Sequence, residues 1–424
     1  MDEGVCAVRP GVDLGRHARM LARVHDALLS GDRPPTRPRD LVERSWKRVR
    51  QYGVNPDLGD PPAPMTPDQV EQRRQASPLS RVLPQLRASL TSVAEDARHI
   101  MVITDAHGVV LWREGASRVR HRADGLGFAE GATWSEGAVG TNAIGTALAE
   151  AAPVQLFSAE HFVRRQHPWT CTACPVHDPR TGELLGVVDV TGLAETVHPT
   201  TVALVCTAVK LAESSLWHQH EGRLEALRTV GVPLLAGVPG PALVVDDHGW
   251  VAAVTGMAPV DRVAVPRPDQ QLAVHGVGLC EPEAVPGGWL LRAADATPGA
   301  VPRDRLRLSL ELDSRPVRAV VEGTNRWLHP LSARPAELLL LLAMAGDTGT
   351  NAAELSRALY GDGAHLVTVR AELSRLRRTL GGLLLARPYR IAPGVDVRLP
   401  DLTGSAFVRN STAPGVRALA TGGR

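Results

Sequence analysis

The chain has 424 residues, 44% of them hydrophobic and 22% charged, with a formal net charge of +2 and five cysteines. That length exceeds one ordinary core and predicts about two to four domains. So small a net charge excludes a globally basic nucleic-acid binder, and any affinity for DNA must come from a local patch. Five cysteines are too few for a disulfide framework, and no apolar run reaches the roughly 20 residues of a membrane helix. A cytoplasmic protein with reduced thiols and no membrane partner is therefore expected. The start of the chain, with Asp2 and Glu3, lacks the apolar core of a secretory signal. Arginine supplies nearly all the cations, with Lys47 and Lys210 the exceptions, and Ala, Gly and Pro are abundant. That is the codon bias of a GC-rich bacterial genome rather than a functional signal.

In chain order, residues 12–30 and 38–52 have helical spacing, the second through Leu41, Val42, Trp46 and Val49, with a break at Pro34-Pro35. Turn and polyproline material over 59–64 leads to a further helical stretch, 66–98, interrupted near Pro78 and Pro84. Residues 1–95 thus form a helical N-terminal region and linker. From His99 the period changes to that of strands. Residues 100–104 and 109–112 form a hairpin about Asp105-Ala-His-Gly108, and 184–191 is another apolar strand after a turn at 178–182. A long helix over about 199–227 closes an α+β sensor-type domain, 96–215. Residues 216–325 carry short strands at 242–245, 251–254 and 289–292 among Pro and Gly. Their Asp-x-His-Gly turn repeats the earlier one, so the stretch faintly resembles a PAS-like module; a β-rich connector without ligand is the other reading.

The C-terminal pattern is the most informative. Leu366, Val369, Leu373, Leu376 and Leu380 alternate at three- and four-residue steps, one stripe of an α-helix. Arg370, Ser374, Arg377 and Arg378 project from the other side, with Arg375 at its flank and Thr368 near its start. Guanidinium forks on such a face suit phosphates and guanine edges, although arginines outside a helix are also simply solvated. An apolar helix at 338–342 and a capped second helix from Asn351 precede it, and Arg387-Pro-Tyr389-Arg390-Ile391 leads into a wing. The strings "LSARPAELLLLLA", "AAELSRALYGD", "VTVRAELSRLRRTLG" and "RPYRI" resemble the effector domain of winged-helix response regulators over about 70 residues, here 326–402. The resemblance implies that Thr368, Arg370, Ser374, Arg375, Arg377, Arg378, Tyr389 and Arg390 face double-stranded DNA. Gly381-Gly382 and Pro388 depart from that family's longer loop and final glycine turn. Residues 403–424 read as a disordered tail.

In the middle region, "DGLGFAEGATWSEGAVGTNAIGTALAE", "EHF" and "HPWTCTACPVHDPRTGELLGVVDVTG" resemble the GAF domain of the acetoin-catabolism activator class, and "LVERSWKRVRQYGVNPD" resembles the helix preceding it. Such proteins usually continue into an ATP-driven domain, but no G-x-x-x-x-G-K-[ST] loop occurs here, so no ATPase is expected. Gly137, Gly140 and Gly145 do not space as a dinucleotide cradle; they read as a tight turn capped by Thr141 or Asn142 at a helix start. The resemblance places that helix beside a ligand cavity. Trp134, Thr141, Asn142, His161, Trp169 and Cys171 are then ligand candidates, although both tryptophans also suit a core. Cys171-Thr-Ala-Cys174 admits three readings: pocket-lining thiols, a redox pair of Cys171 and Cys174, or half a metal site with His161, His167 or His177.

No catalytic constellation, metal site or cofactor motif emerges, and Asp246-Asp247 sits on a strand-turn edge where acids are usually solvated. The expectation is an α+β multidomain protein: a helical N-terminal region, a GAF-type sensor, a small β-rich connector and a C-terminal winged helix-turn-helix. Its function would be that of a homodimeric transcriptional regulator answering a small-molecule effector or a redox state. The alternatives are a signalling adaptor with a protein partner, or a GAF-type methionine sulfoxide reductase using Cys171 or Cys174.

Overall fold

The computed structural model describes residues 5–420 except 60, 97, 269, 275–276, 294–306, 323–325, 364, 387 and 394. Arg387 of the expected wing and residues 421–424 of the expected tail lie outside the described residues. The chain divides into two compact units, Met1–Pro179 with Leu184–Leu216, and Arg180–Glu183 with Trp217–Arg424.

The first unit opens with α1 (Leu14–Ser30), capped by the Asp13 carboxylate and ended by Gly31 at φ 79°, and α2 (Asp40–Tyr52), ended by Gly53 at φ 72°. These left-handed stops are conformations that glycine adopts without a Cβ clash. Next come α3 (Pro67–Ala76), begun by a Thr66–Gln69 capping box, and α4 (Leu83–Asp96). The strands are β1 (His99–Asp105), β2 (Val110–Gly115), β3 (Val154–Phe157), β4 (Trp169–His177) and β5 (Leu184–Leu193), with helices α5 (Ser117–Asp124), α6 (Glu136–Val139) and α7 (Ala143–Glu150) between β2 and β3. They form one antiparallel sheet in the order β2-β1-β5-β4-β3.

Alternation along β1 divides the core. Ile100 and Val102 join Val42, Trp46, Val49, Trp134, Ile144, Phe162 and Trp169 on one face. Met101 and Ile103 join Leu79, Leu86, Leu90 and the start of α8 (Pro199–Ala236) on the other. Residues 1–95 are therefore not a separate region preceding the first sheet. Val24, Val42, Trp46 and Val49 are buried in its main core.

In the second unit the later half of α8 supplies Leu224, Leu227 and Leu235 to one face of a second sheet. Its strands are β6 (Ala242–Val245), β7 (Val251–Thr255), β8 (Leu272–Val274), β9 (Gly278–Val285) and β10 (Gly288–Ala293), in the order β7-β6-β10-β9-β8. The sequence reading missed β8 and β9 and ended α8 nine residues early. The remainder shares one core. It comprises β11 (Arg307–Glu311), β12 (Val317–Glu322), β13 (Arg326–Leu331), α9 (Ala333–Ala345), α10 (Ala352–Tyr360), α11 (Leu366–Leu380), the hairpin β14 (Leu384–Ala386) and β15 (Tyr389–Ile391), and β16 (Asp396–Arg398). Since β11 pairs with β12 and, in parallel, with β16, the C-terminal module begins near 307 rather than 326. The reading of 403–424 as disordered is likewise corrected. Residues 406–409 and 414–419 are helical, and Val408, Ala413 and Val416 are buried in the module's core.

Candidate functional site

The face of the first sheet that carries Ile100 and Val102 holds a carboxyl group where packing alone would place an aliphatic side chain. Asp189 is fully buried on the central strand β5, between Val102 of β1 and Ala173 of β4. One carboxylate oxygen accepts from the Thr191 hydroxyl, and the other, Oδ1, has no hydrogen-bond partner among the described residues. Burial raises its pKa to about 7 because the ionised form has lost its hydration. Cys171 lies across from Thr191, and burial, then the charge of Asp189, pushes its thiol well above the ordinary range. Trp134 and Trp169 join the same apolar cluster, against which Cys171 packs.

Of the other ligand candidates, Asn142 is used structurally: its Oδ1 accepts from Gly145 N at 2.9 Å, capping α7, and its Nδ2 donates to Gly140 O at 2.8 Å. The Thr141 hydroxyl lies 2.7 Å from Ser45 Oγ of α2, which donates to buried Glu136 at 2.5 Å. Arg48 closes that network on Glu136 at 2.7 and 2.8 Å. His161 is fully buried, its Nδ1 donating to Ser158 O at 2.9 Å and its Nε2 unpartnered. Burial lowers its pKa and takes that of His167 to about 4. Residues three apart on a strand face opposite ways, which separates the redox candidates: Cys171 packs with the Trp134 face, Cys174 with the opposite core. Cys174 Sγ donates to Pro175 O at 3.9 Å, and the free thiol that shifts its titration is Cys206 of α8, not Cys171.

In the C-terminal module the apolar stripe is buried as its spacing implies, with Val369, Leu373, Leu376 and Leu380 at or below 4% exposure. Arg370 is exposed. Thr368, Ser374, Arg375, Arg377 and Arg378 are half-buried. Arg375 pairs with Glu372 at 2.6 Å and Arg377 donates to Leu384 O at 3.1 Å. Tyr389 bonds through its backbone to Thr350 in both directions at 2.9 Å, and Arg390 donates to Asp347 O at 2.9 Å. A segment that the sequence did not single out lies on α11. Arg262, 1% exposed, donates to Ser374 O at 3.2 Å and to His248 O at 3.1 Å, with its guanidinium 4.9 Å from the Trp250 ring centroid. Val265 N donates to Arg378 O at 3.4 Å. Residues 261–265 thus form a strap from the second sheet across the Ser374 side of α11.

Residues 22–214 match the family model described as MimR, N-terminal domain. The uncharacterized 47.3 kDa protein in the thcA 5′ region of Rhodococcus erythropolis is 34% identical over 393 residues, 91% of this chain and 72% of that protein. The chain belongs to the family of that Rhodococcus protein. Two transcriptional activators match over just under half of the chain. The acetoin dehydrogenase operon activator AcoR of Bacillus subtilis is 34% identical over 48% of this chain, and the propane 2-monooxygenase operon activator MimR of Mycolicibacterium goodii is 32% identical over 45%. The chain spans 34% and 32% of their lengths.

For this member of the Rhodococcus protein's family, sequence reasoning missed two residues, Asp189 and Arg262. The signal for Asp189 was legible: an acid between valines at an inward position of an alternating strand, Val187-Val-Asp-Val190. Arg262 carried no local signal, because its partners at 248 and 374 are distant in sequence.

Proposed function

We propose that the chain is a transcriptional regulator whose first unit, a GAF-type sensor, answers a small molecule and whose C-terminal winged helix binds double-stranded DNA, as a dimer. The strap at 261–265 is its closed state. The observation that carries this reading is the bond of buried Arg262 to Ser374. A helix that enters a major groove needs that side free, and here a buried cation, the Val265 amide and the Gly381 contact with Val263 and Ala264 occupy it. The activators named above support the regulatory role, and the exposed Arg370 supports a DNA face that is only partly covered. Asp189, with an oxygen left unpaired inside the sensor core, is the anchor for a donor group of the effector. Helix α8 carries the signal, since its first half packs on the first sheet and its later half on the second.

Selection of DNA fragments from a random pool tests this, with the wild type, Arg370→Ala and Arg262→Met side by side. Arg262→Met, which keeps an apolar side chain of similar length, should raise affinity for the selected motif about five- to 150-fold, the range of ordinary coupling energies. Arg370→Ala should relax the motif at one position. If neither wild type nor Arg262→Met selects any sequence, α11 is not a DNA-reading helix.

A further inference from the structure

Apart from the Asp189 face, the first unit has an open cleft of about 510 Å³ between α1 and α2, in the size range of small-molecule sites. Its floor is apolar and aromatic: Leu28 and Leu29 of α1, Trp46 of α2, and Phe162, with the His25 ring packed edge-on to both aromatics. His25 is 1% exposed; its Nε2 donates to Phe162 O at 2.8 Å, so Nδ1 holds the lone pair and makes no hydrogen bond. Burial keeps this imidazole neutral by lowering its pKa, which leaves the floor uncharged. The rim is different. Lys47 and Arg50, one turn apart on α2, line the cleft, are exposed, and have no ion-pair partner among the described residues. The one acid of the lining, Glu43, is already held by Arg37 at 2.8 Å.

An apolar floor under two unpaired cations is complementary to one chemical class. We infer that the α1–α2 cleft binds an amphiphilic carboxylate, its chain or aryl group on Leu28, Leu29, Trp46 and Phe162 and its carboxylate between Lys47 and Arg50. Trp46 also ties the cleft to the sensor core, because its indole Nε1 donates to Glu160 O at 3.0 Å and its ring belongs to the main apolar cluster. Occupancy would therefore be felt by the same fold that carries Asp189. The site itself is independent of the DNA-binding reading.

The test is calorimetric titration of the full chain, without DNA, with decanoate below its micellar concentration, and with 1-decanol as the uncharged control. Lys47→Ala/Arg50→Ala is the decisive variant, since both side chains are exposed and their removal should leave the fold intact by circular dichroism. The expected result is one saturable decanoate site that also perturbs indole fluorescence, the perturbation vanishing in Trp46→Phe. The double variant should weaken decanoate about tenfold while leaving decanol unchanged. Absence of saturable binding, or equal decanoate affinity in the double variant, overturns the proposal. So does a concentration-dependent dimer that the double variant abolishes and decanoate does not affect, which would assign the cleft to a second copy of the chain.

Discussion

The two five-stranded sheets share one strand order and one turn, yet differ at the same central position. In each, a hairpin closes on an Asp-x-His-Gly turn whose carboxylate accepts two backbone amides, Asp105 from His107 and Val109, and Asp246 from His248 and Trp250, all at 2.8–3.0 Å. Counting back three residues from that aspartate gives Val102 and Leu243, and their partners on the middle strand are Asp189 and Leu291. Both partners are fully buried. The second sheet thus shows what the position requires for packing, an aliphatic side chain, while the first keeps an acid there at a cost in stability. Under the proposed reading, an acid that the fold does not need for its own cohesion is the group kept for a ligand.

The largest test of this contrast is Asp189→Asn. The folded-state pKa of about 7 lies above the ordinary aspartate value of 3.8. The neutral acid's contribution is therefore complete below about pH 4 and is lost as pH rises through 7. The full difference is on the order of 4 kcal/mol. Asn cannot ionise, so the variant should melt close to the wild type at pH 4 and well above it at pH 8. His167, whose folded pKa is depressed to about 4, has the opposite slope: its stabilisation holds above pH 6.5 and is lost as pH falls toward 4. The informative quantity is consequently the gap between variant and wild type at each pH, not the wild-type curve. A gap that does not widen from pH 4 to pH 8 breaks the comparison. The reciprocal change, Leu291→Asp, should cost about 3 to 5 kcal/mol at pH 8.

How legible this was depends on the range of the interactions. The hairpin over β1 and β2, the repeated turn and the leucine stripe of α11 are local patterns, and period and turn chemistry reveal them. The strand β8 is only the three residues Leu272-Ala-Val274, too short to show a period, and β9 is interrupted by Glu281-Pro-Glu283, so only pairing across the sheet defines them. The first two helices read correctly as helices, but their burial against Phe162 and Trp134 depends on contacts more than 80 residues away. Cys171 and Cys174 looked like a pair because their spacing is short. On a strand that spacing sends them to opposite faces, and the nearer thiol, Cys206, is 32 residues from Cys174.

A smaller effect sharpens the comparison at the turns. Asp105→Ala and Asp246→Ala each remove an acceptor for two amides, and each should lower stability by about 1 to 2 kcal/mol, measured by chemical denaturation. The second turn also supports the strap: Val263 N donates to Gly249 O at 2.8 Å and Val251 N to Asp261 O at 3.1 Å. Asp246→Ala should therefore also speed amide exchange at Val263 and Val265, whereas Asp105→Ala should leave those amides protected. Equal exchange in both variants would detach the strap from its turn.

The mildest probe is thiol reactivity, which reads each sheet without mutation. Cys206 has its pKa lowered by the bond from Cys174 and then by Lys210, whereas burial alone pushes Cys280 of the second sheet up to about 12. Thiolate is the reactive form, so iodoacetamide at pH 8, followed by peptide mass spectrometry, should modify Cys206 at least about tenfold faster than Cys280. Cys280 is fully buried and must wait for its sheet to open. Cys171, beside Asp189, should accelerate relative to Cys280 as pH passes 7, because the sheet holding an ionised Asp189 opens more readily than the sheet built on Leu291. If Cys171 and Cys280 keep one ratio of rates from pH 6 to pH 9 after correction for thiolate fraction, the acid does not loosen its sheet, and the central position is as well satisfied by Asp189 as by Leu291.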